Sequence, residues 1–164
     1  MRRLPALLRA TNASKRSKLF KIYQLADEIS AVRDPFVACG KGCAHCCHMS
    51  IRLTSAEAER LGASIGRAPA KFVTTKERNA GEFDGTPCPF LSEDRSCSIY
   101  EHRPLACRTH ASFEADNNKC HPERMNDCQV ALVNFSGLDE ALFDVSGGSA
   151  GLVMADIRDF LPVT

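Results

Sequence analysis

The chain has 164 residues, of which 25% are charged and 44% hydrophobic, proportions expected of one soluble globular domain with room for a helical extension. A formal net charge of +1 excludes the strongly basic surface of a whole-chain nucleic-acid binder, and no apolar run reaches the roughly 18 residues that span a bilayer. The nine cysteines are an odd number, which excludes complete internal disulfide pairing.

Residues 1–26 carry seven basic side chains (Arg2, Arg3, Arg9, Lys15, Arg16, Lys18, Lys21) and no acidic one. The opening patch Leu4 to Leu8 is interrupted by Pro5 and is too short for the core of an export signal, so the chain reads as cytoplasmic; a mitochondrial transit peptide shares the same basic, acid-poor character. From Asn12 to Arg33 the residues Leu19, Ile22, Leu25, Ala26, Ile29 and Val32 recur at three- and four-residue intervals. That is the stripe of an amphipathic helix, which Asp34-Pro35 should end. Its basic face is either a solvated surface or a docking site for an acidic protein partner. Residues 1–35 therefore read as a basic helical extension, 36–130 as a cysteine-cluster domain and 131–164 as a C-terminal helical segment packing on it.

The cysteines organise the middle of the chain. Cys39, Cys43, Cys46 and Cys47 fall within nine residues as CxxxCxxCC, followed by Cys88, Cys97, Cys107, Cys120 and Cys128. A reducing compartment keeps thiols free and favours metal or catalytic roles over disulfides. Thiolates repel one another unless a cation sits among them. Successive side chains diverge along an extended chain, so one of Cys46 and Cys47 should serve a second metal or a larger cluster.

After the cluster, His48 to Leu53 alternates polar and apolar residues as a short strand does. Thr54-Ser55-Ala56-Glu57 is a capping-box pattern that opens a helix through Leu61, with Gly62 placed to stop it. Residues 63–87 read as a loop, broken at Ala68-Pro69 and bracketed by Gly81 and Gly85. Two β-prone segments, Pro87 to Leu91 and Cys97 to Tyr100, flank a polar turn and predict a hairpin with a thiol on each arm. Pro104 fits the first turn of a helix carrying Cys107. A helix from Pro122 to Phe135, closed by Gly137, would place Met125, Cys128, Ala131, Leu132 and Phe135 on one face. A short helix from Leu138 to Phe143, a glycine-rich connector at 146–151 and an apolar-periodic segment from Leu152 to Leu161 complete the chain. The fold class expected is α+β, mainly α, with short strands or a hairpin and flanking helices.

The string CxxxCxxCC, then Cys88-Pro89-Phe90-Leu91, then Cys97-Ser98-Ile99-Tyr100-Glu101-His102-Arg103-Pro104-Leu105-Ala106-Cys107-Arg108, resembles the zinc- or iron-chelating cysteine-cluster family of bacterial proteins, often called YkgJ-like. The resemblance covers about residues 36–130. It implies metal binding by Cys39, Cys43, Cys46, Cys47, Cys88, Cys97 and Cys107, with Cys120 as the eighth ligand. The family's first pair is spaced CxxC, whereas three residues separate Cys39 from Cys43 here. A related cysteine-rich segment occurs in a bacterial flagellin lysine methylase, so the resemblance also admits an iron-sulfur redox or protein-modification enzyme, although the sequence displays no separate methyl-donor site.

The residues agree without choosing the element. Eight cysteines could close two tetrahedral zinc sites; alternatively, CxxxCxxC plus one remote thiol could hold an iron-sulfur cluster of the 4Fe-4S type. Lys41, Arg52, Arg103 and Arg108 either offset anionic charge at such a site or are ordinary surface charges. The spacing of His110 after Cys107 suits a ligand as well as a surface role. His45 and His48 could activate a cysteine, but thiols committed to metal are not available as nucleophiles. The expectation is a metal-binding protein, with zinc, iron or a cluster as cofactor; a zinc-stabilised adaptor module and an iron-sulfur enzyme are the alternatives.

Overall fold

The computed structural model describes residues 3–40, 42–79, 81–124 and 133–163. The predicted helix 122–135 falls largely outside them: Pro122–Arg124 form a 3-10 turn, and Met125, Cys128, Ala131 and Leu132 are not among the described residues.

Seven helical segments and two short strands are described: α1 (Leu4–Ala10), α2 (Lys15–Arg33), β1 (Arg52–Thr54), α3 (Ser55–Ile65), α4 (Leu105–Thr109), α5 (Ser136–Val145), α6 (Gly148–Gly151), β2 (Met154–Asp156) and α7 (Ile157–Phe160). The fold is mainly α with one small antiparallel sheet, as the sequence predicts. No described helix is long and apolar enough to cross a membrane.

α2 starts three residues later than its apolar stripe suggests, because Ser14 caps it by accepting a hydrogen bond from Ser17 N at 3.2 Å. It buries Leu19, Ile22, Tyr23 and Ala26, and it gives way at Asp34-Pro35 to a 3-10 turn. Val32, on the predicted stripe, is exposed. Leu4 to Leu8, read from sequence only as an interrupted apolar patch, belongs to α1. Together α1, α2 and α5 enclose one core around Leu8, Ile22, Tyr23, Leu105, Phe135 and Leu138. Gly137, expected to terminate a helix, instead lies within the first turn of α5, two residues after buried Phe135.

The second core gathers around the sheet. Leu53 of β1 stands opposite Ala155 of β2, and both are fully buried. The sequence places β1 slightly early and misses β2, because Leu152 to Leu161 reads as one periodic segment. Asp156 divides it: its carboxylate caps α7 by accepting from Arg158 N at 2.9 Å and also accepts from Ile51 N at 2.7 Å. Ile51, Leu61, Phe90, Ile99, Ile157 and Phe160 fill this core beside Cys88.

α3 opens with the predicted capping box: Glu57 N donates to Thr54 Oγ1 at 3.2 Å, and Thr54 N donates to the Glu57 carboxylate at 3.0 Å. The helix does not stop at Gly62 but runs on to Ile65, and Gly66 takes the left-handed cap at φ +69°. Gly62 answers a different need. A Cβ there would lie 2.3 Å from the Arg67 carbonyl oxygen, so the chain can fold back against the helix only over a glycine.

Glu57 also joins the two cores. Its other carboxylate oxygen accepts from Tyr23 Oη and from Leu105 N, each at 2.9 Å, tying α2 and the start of α4 to α3. Burial pushes its pKa up, while hydrogen bonds from Thr54 N, Leu105 N, Tyr23 and the Thr54 hydroxyl oppose that shift. Glu57→Gln replaces one acceptor oxygen with a donor facing N–H groups. Urea unfolding followed by circular dichroism should show a loss of about 1–3 kcal/mol, the cost of a buried donor left unpaired.

Candidate metal centre

The first cysteine-bearing segment follows α2. Ala38 N donates to Ser112 O at 2.9 Å, and Ser112 N points back at the Cys39 sulfur at 3.4 Å. Gly42, at φ +85°, supplies the left-handed residue of the turn that Cys43 N closes onto Gly40 O at 3.0 Å. The Cys43 sulfur accepts from Asn117 Nδ2 at 3.4 Å. His45 to His48 then form a single 3-10 turn. The chain is not extended here, so the Cys46 and Cys47 side chains stand about a third of a turn apart instead of on opposite faces.

The second segment is the hairpin. It is present as a tight turn with a single bridge, Leu91 to Cys97, held by Ser92 N to Ser96 O and Ser98 N to Phe90 O, each at 2.9 Å. At both of its sulfurs the main-chain N–H two residues on, Phe90 for Cys88 and Ile99 for Cys97, counters part of the rise in thiol pKa that burial causes. Cys88 N reaches Cys47 O at 2.7 Å and Gly85 N reaches His48 O at 2.8 Å, which lays the hairpin's approach against the first loop.

The third segment is α4, with Pro104 at its N-cap and Cys107 in its first turn. Arg108 locks it to α2: the guanidinium donates to Asp27 Oδ1 at 2.6 Å, to Arg103 O at 2.7 Å and to Glu101 O at 2.6 Å.

Cys47, Cys97 and Cys107 all pack against the core that contains Cys88. The charges of these four sulfurs act on one another. Burial, followed by Cys88 and Cys47, pushes the Cys107 thiol well above the ordinary range; burial is also the main cause that raises Cys97, and it raises Cys88 to about 11. A hydrogen bond between Cys46 and Cys47 raises the former and lowers the latter. Burial opposes the fall at Cys47, whereas Arg103 and Arg158 assist it. Cys46 feels Cys107 and Cys43 as well as Cys47.

Cys120 is buried at the end of a 3-10 turn, Asn118–Cys120. The next turn, Pro122–Arg124, packs on the one that holds Cys46 and Cys47, and the rings of His45 and His121 stand 5.3 Å apart. Cys39, Cys43, Cys46, Cys47, Cys88, Cys97 and Cys107 are free thiols. Among those residues, no group of three or more Cys, His, Asp or Glu side chains converges on a common point as a bound metal ion requires. The donor set nevertheless suits a soft or borderline cation: sulfurs from separate segments, main-chain N–H groups aimed at them and guanidinium charge alongside.

The cations match the expected ones in part. Arg103 acts on Cys47, Cys97 and Cys107. Arg52 instead pairs with Glu77 on the surface, Arg108 is taken up by α2 and Lys41 lies outside the described residues. Arg158, which acts on Cys47 and Cys88, goes unnoticed in the sequence because it sits in an apolar-periodic stretch far from any cysteine. His110 caps α4 at its C-terminal end, where burial and then Arg33 lower its pKa. His48 Nδ1 contacts Ala44 O at 3.1 Å within its own turn.

A family model described as "CxxCxxCC: Putative zinc- or iron-chelating domain" matches residues 38–129, close to the 36–130 that the motifs suggest. Searches of curated proteins and of solved structures found no match. The matched span holds all nine cysteines and more than half of the chain, and on that ground the chain belongs to the CxxCxxCC family of zinc- or iron-chelating domains.

Proposed function

We propose that this chain binds zinc or iron through two adjoining sets of cysteine thiolates. Cys47, Cys88, Cys97 and Cys107 make the inner set; Cys39, Cys43, Cys46 and Cys120 make the outer one. The observation that carries this reading is the meeting of the first four, from three separate segments, against one small apolar core. Four thiolates match the preference of zinc for tetrahedral sulfur and equally the ligand count of a 4Fe-4S cluster. The bound cation supplies cross-links between segments, and because the ligands must shed protons to coordinate, binding and folding are coupled. Arg103, Arg158 and the N–H groups of Phe90 and Ile99 offset the negative charge that remains. Free thiols at the seven cysteines from Cys39 to Cys107 accord with a reducing, cytoplasmic setting.

A second reading builds on the first. Lys15, Arg16 and Lys21 are exposed along the start of α2, and no acidic residue precedes Asp27. A chain whose metal is closed off by sulfur could use this basic helix to engage an acidic protein partner, making it an adaptor and not an enzyme.

Anaerobic purification of the full chain, followed by elemental and acid-labile sulfide analysis, tests the metal reading. Zinc or iron is expected in the isolated protein, and Cys107→Ser should reduce the content while Cys120→Ser leaves the inner set loaded. A chain that takes up neither metal overturns the proposal. Iron with labile sulfide and a visible band bleached by dithionite would favour the iron-sulfur redox or modification enzyme over the adaptor.

Stripping the metal should also disorder the cysteine segments. Circular dichroism before and after complete chelation is expected to show loss of signal and a lower thermal midpoint. An unchanged spectrum and midpoint would refute a structural role for the metal.

A further inference from the structure

Arg158 is buried, which is costly for a guanidinium unless each of its five N–H donors finds an acceptor. Here all five do. Nε donates to Pro87 O at 3.3 Å; Nη1 donates to Met49 O at 3.2 Å and to Asp156 Oδ1 at 3.0 Å; Nη2 donates to Cys47 O at 3.3 Å and to Thr86 O. Four of the acceptors are main-chain carbonyls, and they come from only two places: the loop at Cys47 to Met49 and the approach to Cys88. The ring of Phe83 lies under the guanidinium at 4.9 Å, which adds the 81–85 loop to the same assembly.

An apolar side chain would satisfy the core at this position without the cost of burying a charge. The cation instead bonds the peptide units beside two of the sulfurs. It is held from behind by Asp156, whose carboxylate also accepts from Arg158 N and Ile51 N, so β2 fixes the fork's direction and neutralises its charge. Besides Gly85 N to His48 O, the two loops are joined at the cysteines themselves by a single hydrogen bond, Cys88 N to Cys47 O. Arg158 adds bonds on both sides of it.

We propose that Arg158 is the positioning residue of the inner metal site: it sets the main chain at Cys47 and Cys88 so that both thiols face one centre before metal arrives. This rests on the metal-binding reading above. It also makes the C-terminal β2–α7 unit, which lies beyond the 38–129 span of the family match, part of the working site. Lysine cannot replace the fork, since a point ammonium with three donors cannot span four carbonyls on two loops.

The test compares wild type, Arg158→Lys, Arg158→Met and Leu138→Ala in the full chain, reduced and metal-free, titrated with Co²⁺ as a spectroscopic probe of thiolate coordination and with Zn²⁺ against a chromophoric chelator. Both Arg158 variants are expected to bind about 10–100-fold more weakly and to show altered sulfur-to-cobalt absorption, the scale typical of lost support behind metal ligands. Leu138→Ala controls for stability, because it opens a cavity in the core between α1, α2 and α5, whose buried residues include no cysteine, and should keep the wild-type cobalt spectrum. Wild-type affinity and spectrum in Arg158→Lys would overturn the proposal even if Arg158→Met did not fold. So would a cobalt spectrum in Leu138→Ala perturbed as much as in the Arg158 variants at a similar thermal midpoint. Failure of the wild-type chain to bind either metal would instead sink the metal reading itself.

Discussion

Thiols that share an apolar pocket resist losing their protons together, since each new negative charge is desolvated and faces the others. The inner group shows this directly: Cys88, Cys97 and Cys107 are all held above the ordinary thiol range, with burial the largest cause. Only Cys47, flanked by the Arg103 and Arg158 guanidiniums and bonded by Cys46, moves the other way. Such a pocket is poor at holding bare charge and well suited to exchanging protons for a cation, because a divalent ion removes the repulsion that keeps the thiols protonated. The rest of the architecture keeps those sulfurs together against that repulsion.

Three buried charged side chains perform the work, and each acts through the main chain of a cysteine-bearing segment. Glu57 takes the N–H of Leu105 and so anchors the start of the helix that carries Cys107. Arg108 binds the carbonyls of Glu101 and Arg103 just before that helix and is neutralised by Asp27. Arg158 gathers the carbonyls around Cys47 and Cys88. Net hydrogen bonds to charged groups contribute about 1.5–3 kcal/mol each, but leaving such a group unpaired costs at least as much, so these contacts specify geometry more than they add stability. Short helices and three-residue strands could not align three loops by themselves.

What could be read from the sequence follows the range of the signal. The capping box at Thr54 and Glu57, the helix ending at Asp34-Pro35 and the turn between Cys88 and Cys97 depend on neighbours within a few residues, and they appear where the pattern puts them. Gly62 misled because a glycine near the end of a helix looks like a stop, whereas its role is to admit the returning chain at Arg67. At Cys46 and Cys47 the chain forms a 3-10 turn where an extended one was assumed. β2 and Arg158 were not legible at all. Three strand residues between a glycine-rich connector and a one-turn helix leave no periodicity to detect, and the value of Arg158 lies in carbonyls 71 to 111 residues away.

The two cores also differ in what holds them. The one between α1, α2 and α5 is built of leucine, isoleucine, tyrosine, phenylalanine and alanine, with no cysteine among its buried residues. The other shares its apolar contacts with Cys47, Cys88, Cys97 and Cys107, and its sheet has two strands of three residues each. An isolated two-stranded pair is marginal in water, so this half draws on whatever joins its loops. Glu57 stands at the seam, bonded to Tyr23 on one side and to the helix of Cys107 on the other. Through that carboxylate the ordinarily packed half supports the sulfur-bearing half. A chain with little apolar area near its cysteines can thereby keep them close enough for a cation to complete the structure.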